Sequence, residues 1–224
     1  MKSLSSKDGM GVGMKTTIVL DAMGSDQRPF PELEGAVLAA NKFDIQVILV
    51  GDERTLTEGL AKVNGDKSRV SITHAPEALD MDDHIREARA KKENSIVVGM
   101  NLVKTGKAHA FVTAGNTGMA MYFGIKTFGM ISGVDRPCLV GVFPVEGGKC
   151  VIADIGANAE VRPEFLVQFG QMASVYSHLM LGINEPRVGL IANGEEEGKG
   201  NELIKQTGPM MRMAVPNFVG NIEG

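Results

Sequence analysis

From residue 14 onward, short apolar runs alternate with stretches whose apolar residues recur at helical spacing, and this alternation limits the fold most strongly. Residues 17–20 form one such run, and Val47 to Val50 form another that is apolar at every position. A continuous apolar run fits a strand that is buried on both faces better than alternation does. The order therefore predicts an α/β fold, with a largely parallel sheet covered by helices on both faces.

The apolar spacing predicts eight strands and seven helices. Strands are predicted at 17–20, 46–50, 69–74, 110–113, 138–143, 150–154, 187–192 and 217–219. Helices are predicted at 31–43, 53–63, 82–92, 95–104, 117–130, 163–181 and 201–213. Gly147 and Gly148 separate the fifth and sixth strands, so these two are expected to form a hairpin.

Composition places the chain among soluble globular proteins and excludes several classes. With 23 Lys and Arg against 27 Asp and Glu in 224 residues, the net charge is −4, which argues against a nucleic-acid binder. No run reaches the roughly 18 apolar residues of a membrane span. Cys138 and Cys150 are expected to be reduced thiols of a cytoplasmic protein, with a single disulfide as the alternative.

The two ends of the chain suggest where the domain begins and stops. Residues 1–13 have no apolar periodicity and lack the apolar core of a signal peptide, so we expect a disordered leader or a tag remnant. The chain stops just after a predicted strand, with no helix to cover it. We therefore expect one α/β domain over residues 14–224 that lacks a C-terminal part.

Several predicted strands end in glycine together with Asp, Asn or Thr. Five such strand ends occur, around Asp21 to Asp26, at Gly51 and Asp52, at Thr113 to Gly118, at Asp154 to Asn158 and at Asn193 to Asn201. Ligands of open α/β sheets bind beyond the carboxyl ends of the strands, and glycine lets backbone N–H groups approach an anion. Each segment alone also fits an ordinary turn. Their clustering at one edge favours a ligand site.

Lys199 stands in a glycine-flanked loop before a predicted helix. The loop resembles a P-loop, but it has three residues instead of four between its first two glycines and Gly200 after the lysine, so a nucleoside triphosphatase is excluded. The lysine could hold a phosphate or stabilise an oxyanion. It could also be a solvated lysine that balances the neighbouring glutamates at 195–197.

Other common chemistries find no support in the residue pattern. The four histidines are scattered without metal-ligand spacing, so we expect neither a metal nor another cofactor. The nucleophile elbow GxSxG is absent, which argues against serine hydrolase catalysis. Arg86 and Arg89 share a face of the predicted helix 82–92, either as a solvated face or as an anion-binding pair.

Eight sequence blocks in one order carry a resemblance to a known family. They are IVLDAMGSD, VILVGDE, MDD followed by RxxRxKK, TAGNTGM, GVDRP, ADIGANAEVRPEFLVQFGQMASVY, PRVGLIANGEEEGKGNEL and NFVGNIEG. Residues 15–224 thereby resemble PlsX, the bacterial phosphate acyltransferase.

The resemblance implies a cytoplasmic enzyme of phospholipid synthesis. Such an enzyme moves a long-chain fatty acyl group from acyl carrier protein to inorganic phosphate, without a cofactor, and forms acyl phosphate. The implied fold is the three-layer α/β/α sandwich of the isocitrate and isopropylmalate dehydrogenases. The family acts as a homodimer, with peripheral membrane association in some members, and without nucleic acid as a partner.

The resemblance also assigns candidate site residues. The family's catalytic lysine corresponds to Lys199. With the strand-end argument, the expected substrate-binding residues are Asp21, Gly24, Asp26, Gly115, Asn116, Thr117, Gly118, Asp154, Gly156, Asn158 and Asn201. Ser25 stands where the family usually has a second glycine, and His84 where it has proline. The family's TDGFTGN-like motif, with a second catalytic residue, would follow Gly224.

Three other interpretations compete with this one. A phosphate acetyl- or butyryltransferase would use a coenzyme A thioester as the acyl donor. An isopropylmalate-type dehydrogenase would need a nicotinamide cofactor and a divalent metal, whose ligand spacing is missing. An inactive fragment or partner module is the third.

Overall fold

The computed structural model describes residues 15–223 and divides after Gly129 into two compact units. We call the part before this point unit 1 and the part after it unit 2. The predicted leader, residues 1–13, lies outside the described residues. The domain bounds 14–224 therefore stay a prediction.

Unit 1 is built on a four-stranded parallel sheet with the strand order β3-β2-β1-β4. Its strands are β1 (Thr17–Asp21), β2 (Gln46–Gly51), β3 (Val70–His74) and β4 (Ala110–Val112). Its helices are α1 (Phe30–Phe43), α2 (Glu53–Lys62), α3 (Ile85–Ala88), α4 (Ser95–Lys104) and α5 (Thr117–Phe128). Strand β4 pairs in parallel with β1, at the edge of the sheet opposite β3. The carboxyl ends of β1 and β4 therefore lie side by side.

The central strand β2 is buried on both faces, as its sequence predicted. Val47 and Leu49 pack in a core with α1 and α2, whereas Ile48 and Val50 pack on the other face with side chains of α4. Side chains alternate between the two faces of a strand, so one apolar run serves two cores. Unit 1 is thus a three-layer α/β/α arrangement, which confirms the predicted fold class.

The predicted charged helix over residues 82–92 is wrong, because only α3 forms there. Asp83 Oδ2 accepts hydrogen bonds from the Asp80 N–H at 2.9 Å and from Lys91 Nζ at 2.6 Å. Lys91 Nζ also donates to the carbonyl of Ala78 at 2.9 Å. Such side-chain bonds to nearby backbone compete with helical hydrogen bonds. Arg89 lies over the ring of Tyr122, 5.0 Å from its centroid.

Unit 2 contains an antiparallel hairpin and a parallel strand pair with two helices. The hairpin joins β5 (Val140–Val145) to β6 (Gly148–Ala153), and β7 (Val188–Ile191) pairs in parallel with β8 (Phe218–Ile222). The helices are α6 (Pro163–Leu181) and α7 (Glu202–Ala214). The hairpin was predicted correctly, but its turn is at 146–147, where Gly147 has a φ of 77°, and Gly148 already pairs with Val145.

Among residues 15–223, no helix is both long enough and apolar enough to cross a bilayer.

Both cysteines are free thiols, as expected from their sequence context. Burial, together with the charge of Asp154, raises the pKa of Cys138 to about 11. The Cys138 thiol therefore stays protonated and weakly nucleophilic at neutral pH.

Candidate active site

In unit 1, the carboxyl ends of β1 and β4 form a hydrogen-bonded cluster around Asp21. Asp21 is 1% exposed, and its Oδ1 accepts the Met23 N–H at 3.0 Å. Its Oδ2 accepts the Thr113 hydroxyl at 2.7 Å, and the same hydroxyl oxygen accepts the Gly115 N–H at 3.0 Å. Thr113 thus links the end of β1 to the turn that follows β4.

Two glycines allow these turns to touch. A Cβ atom on Gly24 would lie 2.8 Å from the Gly115 nitrogen and 2.9 Å from Asp21 Oδ2. A Cβ atom on Gly115 would lie 3.1 Å from the Gly24 Cα. A side chain at position 24 has no room, and one at position 115 would press on the Gly24 backbone. The structure thus places Asp21, Gly24 and Gly115 together.

Asn116 caps the helix that begins at this edge. Its Oδ1 accepts the Met119 N–H at 3.1 Å, and its Nδ2 donates to the Met81 carbonyl at 2.8 Å. The exposed residues Thr117 and Gly118 form the first turn of α5, where backbone N–H groups have no partner within the helix. The cap is neutral, so the partial positive charge of the helix N-terminus remains available to an anion.

Two polar residues near Gly24, Ser25 and Glu32, were not among the predicted site residues. The Ser25 N–H donates to Glu32 Oε1 at 3.2 Å, and Glu32 is only 6% exposed. Ser25 Oγ and Glu32 Oε2 are buried without a hydrogen-bond partner among the described residues. Glu32 stands four positions before the buried residue Ala36 and so on the same face of α1. That spacing was the sequence signal for the burial of Glu32. Predicted site residue Asp26 is exposed on the same turn.

In unit 2, Asp154 organises the segment that follows β6. Its Oδ1 accepts the Leu139 N–H at 2.6 Å, and its Oδ2 accepts the Asn158 N–H at 2.8 Å and the Asn158 Nδ2 at 3.2 Å. Asn158 Oδ1 in turn accepts Arg136 Nε at 2.6 Å. Gly156 has a φ of 118°, which glycine tolerates and which turns the chain between the two partners.

The pKa of Asp154 is the balance of two opposing effects. Burial alone would raise this pKa, but the hydrogen bonds from Leu139 and Asn158 outweigh it and hold the pKa below its ordinary value. The carboxylate is therefore charged at neutral pH. It acts as an acceptor that shapes the 154–158 turn rather than as a proton donor.

We expect Asp154→Asn to lower the free energy of unfolding at pH 7 by about 1–3 kcal/mol, because hydrogen bonds to a charged acceptor are lost. A carboxyl group whose pKa is lower in the folded than in the unfolded state stabilises the fold at pH values above its unfolded pKa of about 3.9. That contribution is lost as the pH falls through the folded pKa. The deficit of the variant should therefore shrink between pH 5 and pH 3. Urea denaturation across this range measures it, with exposed Glu185→Gln as the control. A deficit independent of pH would contradict the prediction.

Lys199 lies in the loop between β7 and α7, beside a cavity of about 380 Å³. Asn193, Gly194, Glu195, Glu196 and Glu223 also line this cavity. Lys199 is exposed, and its ammonium group forms no ion pair with another described residue. Asn201 caps α7 by accepting the Ile204 N–H at 3.1 Å, so this helix also begins with a neutral cap.

Taken unit by unit, the predicted site residues lie in one cluster in unit 1 and two clusters in unit 2. One surrounds Asp21 and α5, the second surrounds Asp154, and the third is the loop of Lys199 and Asn201. Within unit 2, no hydrogen bond between described residues joins the second cluster to the third. Thr113, Arg136 and Asn193 stand in the quoted sequence blocks but were not predicted as site residues, because their partners are distant in sequence or depend on loop closure.

A comparison with protein families decides the relationship of this chain. The family model described as "Fatty acid synthesis protein" matches residues 16–224. The chain belongs to this family. The resemblance inferred from the eight sequence blocks is thereby confirmed.

Curated members of this family are similar over most of the chain. The proteins named phosphate acyltransferase from Elusimicrobium minutum and from Desulfitobacterium hafniense strain Y51 are each 46% identical to it. These matches cover 92% of this chain but 61% and 62% of the two relatives. The phosphate acyltransferase of Clostridioides difficile is 41% identical over 92% of this chain and 61% of its own. The chain thus spans about three fifths of these relatives.

Solved structures of low sequence identity support the fold. The EutD phosphotransacetylase of Staphylococcus aureus has a TM-score of 0.67 and 18% identity, over 93% of this chain and 69% of its own. A phosphotransacetylase of Streptococcus pyogenes has a TM-score of 0.69 and 14% identity, over 93% and 68%. Both likenesses concern the fold and agree with an α/β architecture that has a mainly parallel sheet.

Proposed function

We propose that this chain belongs to an enzyme that transfers a long-chain fatty acyl group from acyl carrier protein to inorganic phosphate. The observation that carries the proposal is the 41–46% identity to proteins named phosphate acyltransferase over 92% of the chain. The product, acyl phosphate, would supply phospholipid biosynthesis. The proposed setting is a cytoplasmic homodimer with peripheral membrane association.

The proposed chemistry needs no covalent enzyme intermediate. A phosphate oxygen attacks the thioester carbonyl carbon, the new C–O bond forms, and the C–S bond then breaks. The thiolate of the carrier protein leaves and takes up a proton from water. Negative charge gathers on the carbonyl oxygen while an anion approaches, so fixed positive groups lower the barrier.

Lys199 is the proposed source of that fixed positive charge. Its ammonium group is exposed at a cavity and unpaired within the described residues, so an incoming phosphate would displace no internal ion pair. Charge-assisted contacts of this kind are stronger than neutral hydrogen bonds. Asn201 would position the loop by capping α7 immediately after it.

The other predicted residues would supply donors and shape. Free N–H groups at the start of α5, from Thr117 and Gly118, are suited to an anion, and Gly115 and Gly24 keep the turn tight. Helix α2 offers a contrast, because its cap is Asp52, whose pKa is lowered by hydrogen bonds from Thr55. A charged cap opposes anion binding, and the proposed site uses neutral caps instead.

The assay that tests this function uses a chain that spans the full length of the curated relatives. It is incubated with inorganic phosphate and either palmitoyl carrier protein or palmitoyl-coenzyme A, and acyl phosphate is trapped with hydroxylamine. We expect hydroxamate with the carrier-protein thioester at a kcat/KM at least tenfold above that with the coenzyme A thioester. A preference for acetyl- or butyryl-coenzyme A would assign the alternative acyltransferase, and no product with any thioester would reject acyl transfer.

A further inference from the structure

The loop that carries Lys199 is closed by hydrogen bonds of its own and of the neighbouring strand. The Gly200 N–H donates to Asn193 Oδ1 at 2.8 Å, and the Lys199 N–H donates to the Glu196 carbonyl at 2.9 Å. Asn221 on β8 donates its Nδ2 to the same carbonyl at 3.1 Å. The backbone on both sides of Lys199 is therefore fixed, even though its side chain is exposed.

Gly194 is buried at the start of this loop, and the stem of Lys199 lies against it. A Cβ atom on Gly194 would lie 2.9 Å from Lys199 Cγ and 3.3 Å from Lys199 Cδ. It would also lie 3.0 Å from Glu196 Oε2. Real Cβ atoms do not approach a side-chain carbon so closely, and Cγ is too near the backbone to move aside freely. Any side chain at position 194 would push the lysine stem out of its place.

We propose that Gly194 is a positioning residue that sets the direction of the Lys199 ammonium group. The inference rests on the proposed function, in which Lys199 holds phosphate. Since position 194 has no side chain, the lysine stem packs across the loop backbone and its charged end faces the cavity of about 380 Å³. A lysine held in this way loses less freedom when it binds an anion, which favours binding.

The cavity also places three carboxylates close to the Lys199 side chain. Glu195, Glu196 and Glu223 line the cavity with Lys199, yet no described carboxylate pairs with it. Lys199 Cδ and Glu196 Oε2 both lie over Gly194, yet the two side chains form no ion pair. Displacing the stem would let the lysine pair with a glutamate and compete with phosphate.

Gly198 provides the matched control for a substitution at Gly194. Both glycines belong to the loop of Lys199, but no atom lies within 4 Å of a Cβ atom placed on Gly198, which is exposed and has no positive φ. Gly194→Ala and Gly198→Ala add the same methyl group to the same loop. Only the first meets the lysine stem, and only the first falls at a positive φ, which is 157° at Gly194.

The test uses full-length protein and two readouts. Acetylation of Lys199 by an amine-reactive reagent is mapped by mass spectrometry with and without inorganic phosphate, and steady-state rates are measured against phosphate. In the wild type and Gly198→Ala, phosphate should slow labelling of Lys199 about tenfold. In Gly194→Ala, this protection should disappear, and kcat/KM for phosphate should fall about 10- to 100-fold, mainly through KM.

Two results would overturn the inference in distinguishable ways. If Gly194→Ala keeps the protection and KM of Gly198→Ala, Gly194 has no positioning role and the proposed function stands. If phosphate fails to protect Lys199 in the wild type, the proposed role of Lys199 is wrong, and the inference is wrong with it. Should Gly194→Ala not fold, Asn193→Ala tests the fixed loop backbone on which this positioning depends, because it removes the bond from the Gly200 N–H. Unchanged protection and KM in Asn193→Ala would then overturn the inference.

Discussion

Replacing Lys199 with alanine should lower kcat/KM for acyl phosphate formation by about 10²–10³-fold in the full-length protein. The reason is electrostatic, since a preorganised positive group that faces developing negative charge contributes a factor of this size. The change removes the ammonium group at the cavity while leaving the Asn201 cap and the Asn193 loop bond in place. Hydroxamate trapping of the acyl phosphate measures the rate.

Lys205 on α7 supplies the control for this substitution, because it is an exposed lysine with no ion pair to a described residue. Lys205→Ala should keep the wild-type rate. Lys199→Arg should recover part of the activity, since the charge is kept while its geometry changes. A Lys199→Ala protein as active as Lys205→Ala would remove Lys199 from the mechanism.

Gly99→Ala should lower the free energy of unfolding of unit 1 by about 1–3 kcal/mol, the usual cost of overpacking a filled core. A Cβ atom on Gly99 would lie 2.5 Å from Phe111 Cε2 and 3.1 Å from Val19 Cγ1. Helix α4 thus lies so close to β1 and β4 that one methyl group has no space. Urea denaturation followed by circular dichroism measures the loss.

Gly124 on α5 is the matched helical glycine for this experiment. A Cβ atom there would meet only Met100 Cε, at 3.8 Å, which is ordinary contact. Gly124→Ala should be neutral or should raise the free energy of unfolding by about 0.5–1 kcal/mol, because alanine favours a helix more than glycine does. Equal losses in both variants would show that packing at Gly99 is not the cause.

Elements with strong local signals were predicted closely. Helices α4 and α6 were predicted to the residue, since Ser95 follows an asparagine cap and Pro163 opens its helix. The segment 82–92 has equally clear charges, but Asp83 and Lys91 bind loop backbone instead of forming a helix. Local patterns fail here because side-chain hydrogen bonds to loop backbone replace the hydrogen bonds of a helix.

Parts of the candidate site followed from the order of residues along the chain. Glycine with Asp or Asn at strand ends singled out Asp21 and Asn116, which do lie at adjacent strand ends. No local signal pairs Asp21 with Thr113, because the two residues are 92 positions apart. That contact exists because β4 lies beside β1, and strand order is a property of the whole sheet.

The amino-acid sequence alone determined the alternation of strands and helices, the double burial of β2 and the membership of the family. These depend on periodicity and on motif order, which are readable one segment at a time. Only the tertiary structure decided that Asp154 is tied to Leu139 and that the Lys199 stem lies across Gly194. Such contacts depend on differences of a few tenths of an ångström in the distances between packed atoms, and no single segment of the sequence sets those distances.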